Sequence, residues 1–227
     1  MNTRARIAEL AASRILVLDG SYGVLIQRSV RGEDAYRGER FSEHPRPLAG
    51  DPDLLNLTRP EVVRDIHGAY LDAGADFVTT NTFTATSLNQ ADYGLENFAA
   101  EMSLVGARLA RRVCDEWTAQ TPQQPRFVVG SIGPVKATLS LSPRVDEPAY
   151  RAVTFEQVRA SYYEQVQALI EGGVDLLMVE TIFDTLNAKS ALVAASDVFR
   201  AQGVELPLWL SFTAVDRSGR NLSVQTV

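Results

Sequence analysis

The chain has 227 residues, with 22 Lys and Arg against 28 Asp and Glu and a formal charge of −6. At 45% apolar and 22% charged residues it is too hydrophobic for disorder and long enough to bury a sizeable core. No window approaches the roughly 18 apolar residues of a membrane span, and mild acidity without basic clusters argues against nucleic acid as a partner.

The N-terminus leads into a short mixed helix without an apolar signal core, so no secretory leader is expected. A single cysteine, Cys114, excludes an internal disulfide framework and fits a reducing compartment. The expectation is a cytoplasmic enzyme or binding domain for a small ligand, without membrane or nucleic-acid contacts.

Five apolar runs of strand length follow in chain order: Ile15–Leu18, Phe77–Thr80, Phe127–Gly130, Leu176–Val179 and Leu208–Ser211. Helix-length periodic segments separate them, which predicts a parallel sheet covered by helices. Thr58-Arg59-Pro60-Glu61 reads as a capping box before an apolar stripe of Val62, Ile66, Ala69 and Tyr70. Thr154-Phe155-Glu156-Gln157 repeats that logic before Val158, Tyr162, Val166 and Leu169. Both helices stop at a glycine followed by Asp76 or Asp175 and the next strand, a weak internal repeat that suits a (β/α) barrel. Further helices are expected from about Leu95 to Trp117 and from about Leu186 to Phe199.

The segment from about Ser29 to Leu57 is long for a connection, the length of a lid or binding loop or else of a disordered stretch. Within it, Tyr36-Arg37-Gly38-Glu39-Arg40-Phe41 reads either as a lid element or as a loop pinned by Tyr36 and Phe41. No linker divides residues 1–227, so one domain is expected. A closed barrel needs eight strands and about 250 residues, whereas the fifth strand here ends near Thr213. The expected fold class is therefore α/β, a (β/α)8 TIM-barrel type truncated after about the fifth strand, its C-terminal strands missing.

In parallel βα architectures the ligand site gathers at the C-terminal strand ends. Those ends read Asp19-Gly20-Ser21, Asn81-Thr82-Phe83, Ser131-Ile132-Gly133-Pro134, Glu180-Thr181 and Ser211-Phe212-Thr213. Carboxylates at Asp19 and Glu180 converging over one cavity would need an ammonium group, a metal or a shared proton between them. The alternative is a turn cap at Asp19 and an ion pair at Glu180. Gly20 and Gly23 permit close backbone approach to an anion, but their spacing is not that of a dinucleotide or phosphate loop. Metal ligands are scarce: Cys114 reads as a small helix residue, His67 as mid-helix surface cover and His44 as a loop residue.

The motifs Leu18-Asp19-Gly20, Tyr36 to Phe41, Gly74-Ala75-Asp76, Asn81-Thr82-Phe83, Ala91-Asp92-Tyr93-Gly94, Gly130 to Pro134 and Thr138 to Pro143 form an ordered series. Val179 to Lys189, then Ser218-Gly219-Arg220 and Gln225-Thr226, complete it. Together they resemble the homocysteine-binding domain of cobalamin-dependent methionine synthase, within the homocysteine S-methyltransferase family. The betaine-dependent members share the Asp-Gly, Asn-Thr-Phe and Glu-Thr elements.

The resemblance implies transfer of a methyl group from methylcobalamin, ultimately from methyltetrahydrofolate, to homocysteine, giving methionine. It also implies zinc held by three cysteines that would lie beyond residue 227, with cobalamin and methyltetrahydrofolate domains on the same or a partner chain. Zinc makes a bound thiol a thiolate at neutral pH, and the thiolate is the nucleophile. Under the resemblance Asp19 and Glu180 hold the substrate ammonium, Gly20 and Ser21 meet its carboxylate, and Asn81, Thr82 and Ser131 line the pocket. Two departures stand out: Tyr22 where the family usually has methionine, and Val224 where it usually has glycine. As it stands, the chain would orient substrate without its activating metal, and the alternatives are a non-catalytic amino-acid-binding remnant or a betaine-type methyltransferase.

Overall fold

The computed structural model describes residues 3–214 and 217–225. The helices are α1 (Thr3–Ser13), α2 (Tyr22–Ser29), α3 (Glu33–Arg37), α4 (Leu55–Thr58), α5 (Pro60–Asp72), α6 (Ser87–Gln90), α7 (Ala99–Gln120), α8 (Phe155–Glu171) and α9 (Thr185–Gln202). The strands are β1 (Phe77–Thr79), β2 (Phe127–Ile132), β3 (Leu176–Ile182) and β4 (Leu208–Phe212). All pair in parallel, in the sequential order β1-β2-β3-β4.

Sequential order without a reversal is the topology of a singly wound barrel; doubly wound sheets switch direction. The packing agrees. On one face Val78, Val128, Leu177 and Val179 pack with Ala110, Val113, Val166, Leu169, Ala194 and Val198 of α7, α8 and α9. The other face carries Phe77, Phe127, Val129, Leu176 and Met178, packed with Trp209 and with Ile7 and Leu10 of α1. That face is the interior of a partial TIM-barrel-like fold, and α1 sits against it.

The expected first strand, Ile15–Leu18, is not a regular strand. It makes one parallel bridge, Leu18 to Phe77, and Val17 carbonyl accepts from the Asp76 and Phe77 N–H groups (2.8 and 3.1 Å). Its partner β1 is only three residues long, and Ile15 is 87% exposed, so little burial enforces regular pairing. At the other edge β4 likewise has a neighbour on one side only.

The capping box at Thr154 forms in full, with reciprocal bonds to Gln157, and Val158, Tyr162, Val166 and Leu169 are all buried. The one expected at Thr58 does not. Arg59 is the N-cap of α5 without a side-chain bond, Pro60 opens the helix, and Thr58 instead ends α4. Glu61 pairs with Arg59. The buried face of α5 is Val62, Val63, Ile66, His67, Gly68 and Leu71, while Ala69 faces out.

The long connection is core rather than lid. Tyr36, Phe41, Leu48, Leu54 and Leu55 are buried in a cluster with Ile26 of α2, Val63 and Ile66 of α5, and Met102 of α7. Arg37 ties it internally, donating to the Phe41, Ser42, His44 and Arg46 carbonyls. Asp53 accepts from the Thr84 N–H (3.1 Å) and hydroxyl, which locks the loop to the chain beyond β1.

Candidate substrate-binding site

A cavity of about 470 Å³ opens at the C-terminal ends of the strands. Asp19, Gly20, Ser21, Asn81, Ser131 and Glu180 line it, and apolar wall comes from Leu18, Phe83 and Met178. Thr82 does not reach it. That side chain is fully buried behind the wall, donating to the Ser131 carbonyl (2.8 Å) and lying 2.6 Å from the Thr80 hydroxyl.

Each polar group is placed by its neighbours. Asp19 follows the Leu18 bridge, and its carboxylate accepts from the Thr79 N–H (2.8 Å), the Thr79 hydroxyl (3.1 Å) and the Tyr22 hydroxyl (2.8 Å). Glu180 sits in an irregularity of the β3–β4 register between Val179 and Ile182, next to Thr181 at φ 54°. The Ser131 hydroxyl donates to Glu180 Oε1 at 2.6 Å. Asn81 donates to the Pro52 carbonyl (2.7 Å), so the long loop reaches the cavity through Pro52. Beside Ser21, α2 begins without a side-chain cap, which leaves its first N–H groups open to an anion.

Among the described residues no ion pair forms to Asp19 or Glu180, so the ion-pair alternative for Glu180 is not what the fold builds. Burial pushes the Asp19 carboxyl up to about 6, against the lowering effect of the Thr79 and Tyr22 hydrogen bonds, and the like charge of Glu180 adds to the rise. Burial also raises Glu180, offset in part by Ser131. Two carboxylates that share a cavity and feel each other are poised for a cation.

Tyr22 also lines the cavity, and its hydroxyl lies 2.6 Å from His67 Nδ1. His67 is fully buried, not surface cover, because it falls one turn from Val63 and from Leu71 on the inward face of α5. That spacing was the available signal, and Thr79 likewise follows from its strand-end position. His44 has a structural role, its Nε2 2.8 Å from the Tyr93 carbonyl.

The described residues do not fit a zinc centre. No three His, Cys, Asp or Glu side chains among them are grouped to hold a metal. Cys114 lies buried in α7, and burial pushes its thiol up to about 12.

The family model for homocysteine S-methyltransferases matches residues 16–227. The chain belongs to that family. Its fold is similar to that of a homocysteine methyltransferase from Escherichia coli, MmuM, at 24% identity. The metallated form matches with a TM-score of 0.70 over 97% of this chain and 70% of that one. The oxidized form matches with a TM-score of 0.72 over 100% and 70%. No helix among the described residues of this family member is long and apolar enough to cross a membrane.

Proposed function

We propose that this chain is the homocysteine-binding part of a methionine synthase acting in the cytoplasm. In this reading homocysteine accepts a methyl group from methylcobalamin, recharged by methyltetrahydrofolate, each presented by a further domain of the same or a partner chain. The observation that carries the substrate assignment is the pair of half-buried carboxylates, Asp19 and Glu180, in one cavity with no basic partner among the described residues. An amino-acid ammonium supplies the missing cation. The Gly20-Ser21 turn and the open start of α2 supply backbone N–H groups for the substrate carboxylate. The thiol-bearing remainder of the substrate runs along Phe83 and Met178.

The residues of this chain bind and orient; activation of the sulfur by zinc falls to cysteines outside this sequence. Calorimetric titration with L-homocysteine tests the reading. Asp19→Asn and Glu180→Gln are each expected to weaken binding by roughly 1.5–3 kcal/mol, the worth of a charged hydrogen bond. Unchanged affinity in both variants removes the two residues from this role. Methyl transfer by the full protein with methylcobalamin but not betaine supports the donor; transfer from betaine makes it a betaine-type enzyme. Homocysteine binding with no methyl transfer from either donor points to an amino-acid-binding remnant.

A further inference from the structure

The hydrogen bonds to Asp19 are unevenly shared. Oδ2 accepts from the Thr79 N–H, the Thr79 hydroxyl and the Tyr22 hydroxyl, whereas Oδ1 has only a share of the Thr79 hydroxyl, at 3.1 Å. The Tyr22 oxygen in turn stands 2.8 Å from Asp19 Oδ2, 2.9 Å from the Thr79 carbonyl and 2.6 Å from His67 Nδ1. A phenol carries one proton. The carbonyl and the ionised carboxylate can only accept, so a third acceptor at Nδ1 would crowd one proton with three lone-pair partners.

Protonation of His67 at Nδ1 resolves this. The imidazole then donates to the Tyr22 oxygen, and the phenolic proton is free for the carboxylate. The remaining Nε2 is buried without a partner. As an acceptor it tolerates that better than a buried N–H would, since unsatisfied donors are the rarer exception. The ring is neutral throughout, because complete burial holds it down at about 3.

We propose that Tyr22 and His67 are positioning residues for Asp19: the imidazole orients the phenolic proton, and the phenol pins Oδ2 and leaves Oδ1 as the oxygen that meets the substrate ammonium. The inference rests on the ammonium reading of the cavity. The other titratable groups facing this chain are Tyr70, Glu180 and, behind Tyr22, Cys114. Burial raises the pKa of Tyr22, Tyr70 and Cys114 and so keeps all three protonated near neutrality, which leaves Asp19, pushed up to about 6, as the group of this chain that changes charge between pH 5 and 8.

The test uses the full-length protein and two readouts. The Asp19 midpoint is followed by carboxyl NMR without ligand, and L-homocysteine affinity by calorimetry between pH 5 and 8. Tyr22→Phe keeps the ring against His67 and Tyr70 but removes the donor. It is expected to raise the Asp19 midpoint and to weaken homocysteine binding at pH 7 by about tenfold. His67→Leu is expected to act in the same direction, and His67→Asn, whose amide can donate from near the Nδ1 position, to restore both readouts towards wild type.

An Asp19 midpoint unmoved by Tyr22→Phe overturns the proposal, as does equal behaviour of His67→Asn and His67→Leu. If His67→Leu does not fold, Tyr22→Phe and His67→Asn still decide. Failure of Asp19→Asn to weaken homocysteine binding would instead remove the ammonium reading, and the ligand-free midpoint would still report on positioning.

Discussion

Acidic residues sit at both ends of the sheet and are treated in opposite ways. At the N-terminal ends, Asp76 and Asp175 are each answered by an arginine and a backbone N–H. Asp76 accepts from both Arg14 Nη atoms (2.8 and 2.6 Å), the Val17 N–H (2.9 Å) and Gln124 (3.2 Å). Asp175 accepts from Arg111 and from the Val128 N–H, each at 2.7 Å. Both use a carboxylate to hold the backbone of the preceding strand segment, which is what the repeated Gly-x-Asp turn is for. At the C-terminal ends, Asp19 and Glu180 are half-buried and have no basic partner among the described residues.

The backbone divides in the same way. Where the chain needs positive φ before a strand it uses Gly74 and Gly173, at 102° and 91°. At the opposite end Thr181 and Val224 adopt φ of 54° and 62° without glycine's freedom. One end is built for stability; the other holds unmet charge and strain, the usual companions of a binding site.

The sharpest way to break this contrast is to exchange acids at the two ends. Asp76→Ala removes a two-pronged ion pair and strands the Val17 N–H, so equilibrium unfolding in urea should show a loss of about 3 kcal/mol. Burial works to raise Asp76, but Arg14, Val17 and Gln124 outweigh it and hold the carboxyl below its ordinary value. Its contribution is therefore present above the unfolded-state value and lost as pH falls through the lower folded one, so the variant should lose less stability on acidification than wild type.

Asp19→Asn should do the reverse. Burial pushes the folded carboxyl up to about 6, above the ordinary 3.8, so the protonated form is the one that favours folding. That contribution is full below pH 4 and lost as pH rises through 6. Ligand-free Asp19→Asn is expected to be about 2 kcal/mol more stable than wild type at pH 8, with the gain gone at pH 4. Destabilisation at pH 8 would mean that Asp19 is a structural acid like Asp76, and the contrast would fail.

Much of this was legible in the sequence because strand ends and helix stops leave local signals. The apolar runs located β1 to β4, the glycine-Asp turns located the two answered acids, and strand-end position brought Asp19, Asn81, Ser131 and Glu180 to one cavity. The misreadings come from partners distant in the chain. Whether Ile15–Leu18 becomes a strand depends on how much sheet lies beside it. The burial of His67 could be read from its spacing to Val63 and Leu71, but its polar partner depends on α2 arriving with Tyr22. Thr82 and Asn81 are adjacent, yet only the second faces the cavity, because the chain turns as it leaves β1.

The two expected capping boxes measure the same lesson in energy. Both helices start at the cavity end, but only Thr154 caps. Thr154→Ala should cost about 1 kcal/mol in urea unfolding, whereas Thr58→Ala should stay within about 0.5 kcal/mol of wild type. Equal losses would mean that Thr58 contributes through its contacts at the end of α4 as much as a cap does.

The smallest effects separate strain that serves the cavity from strain that does not. A left-handed conformation costs a residue with a Cβ roughly 1–2 kcal/mol, and glycine gives back about 0.5–1 kcal/mol through unfolded-state freedom. Val224 lies outside the cavity wall, so Val224→Gly should stabilise by about 0.5 kcal/mol and leave homocysteine affinity unchanged. Thr181→Gly should relieve similar strain, but it loosens the turn that carries Glu180 and should weaken binding. If both glycine variants stabilise and bind homocysteine equally well, the strain at Thr181 has no part in aiming Glu180, and the hydrogen bond from Ser131 alone holds that carboxylate in place.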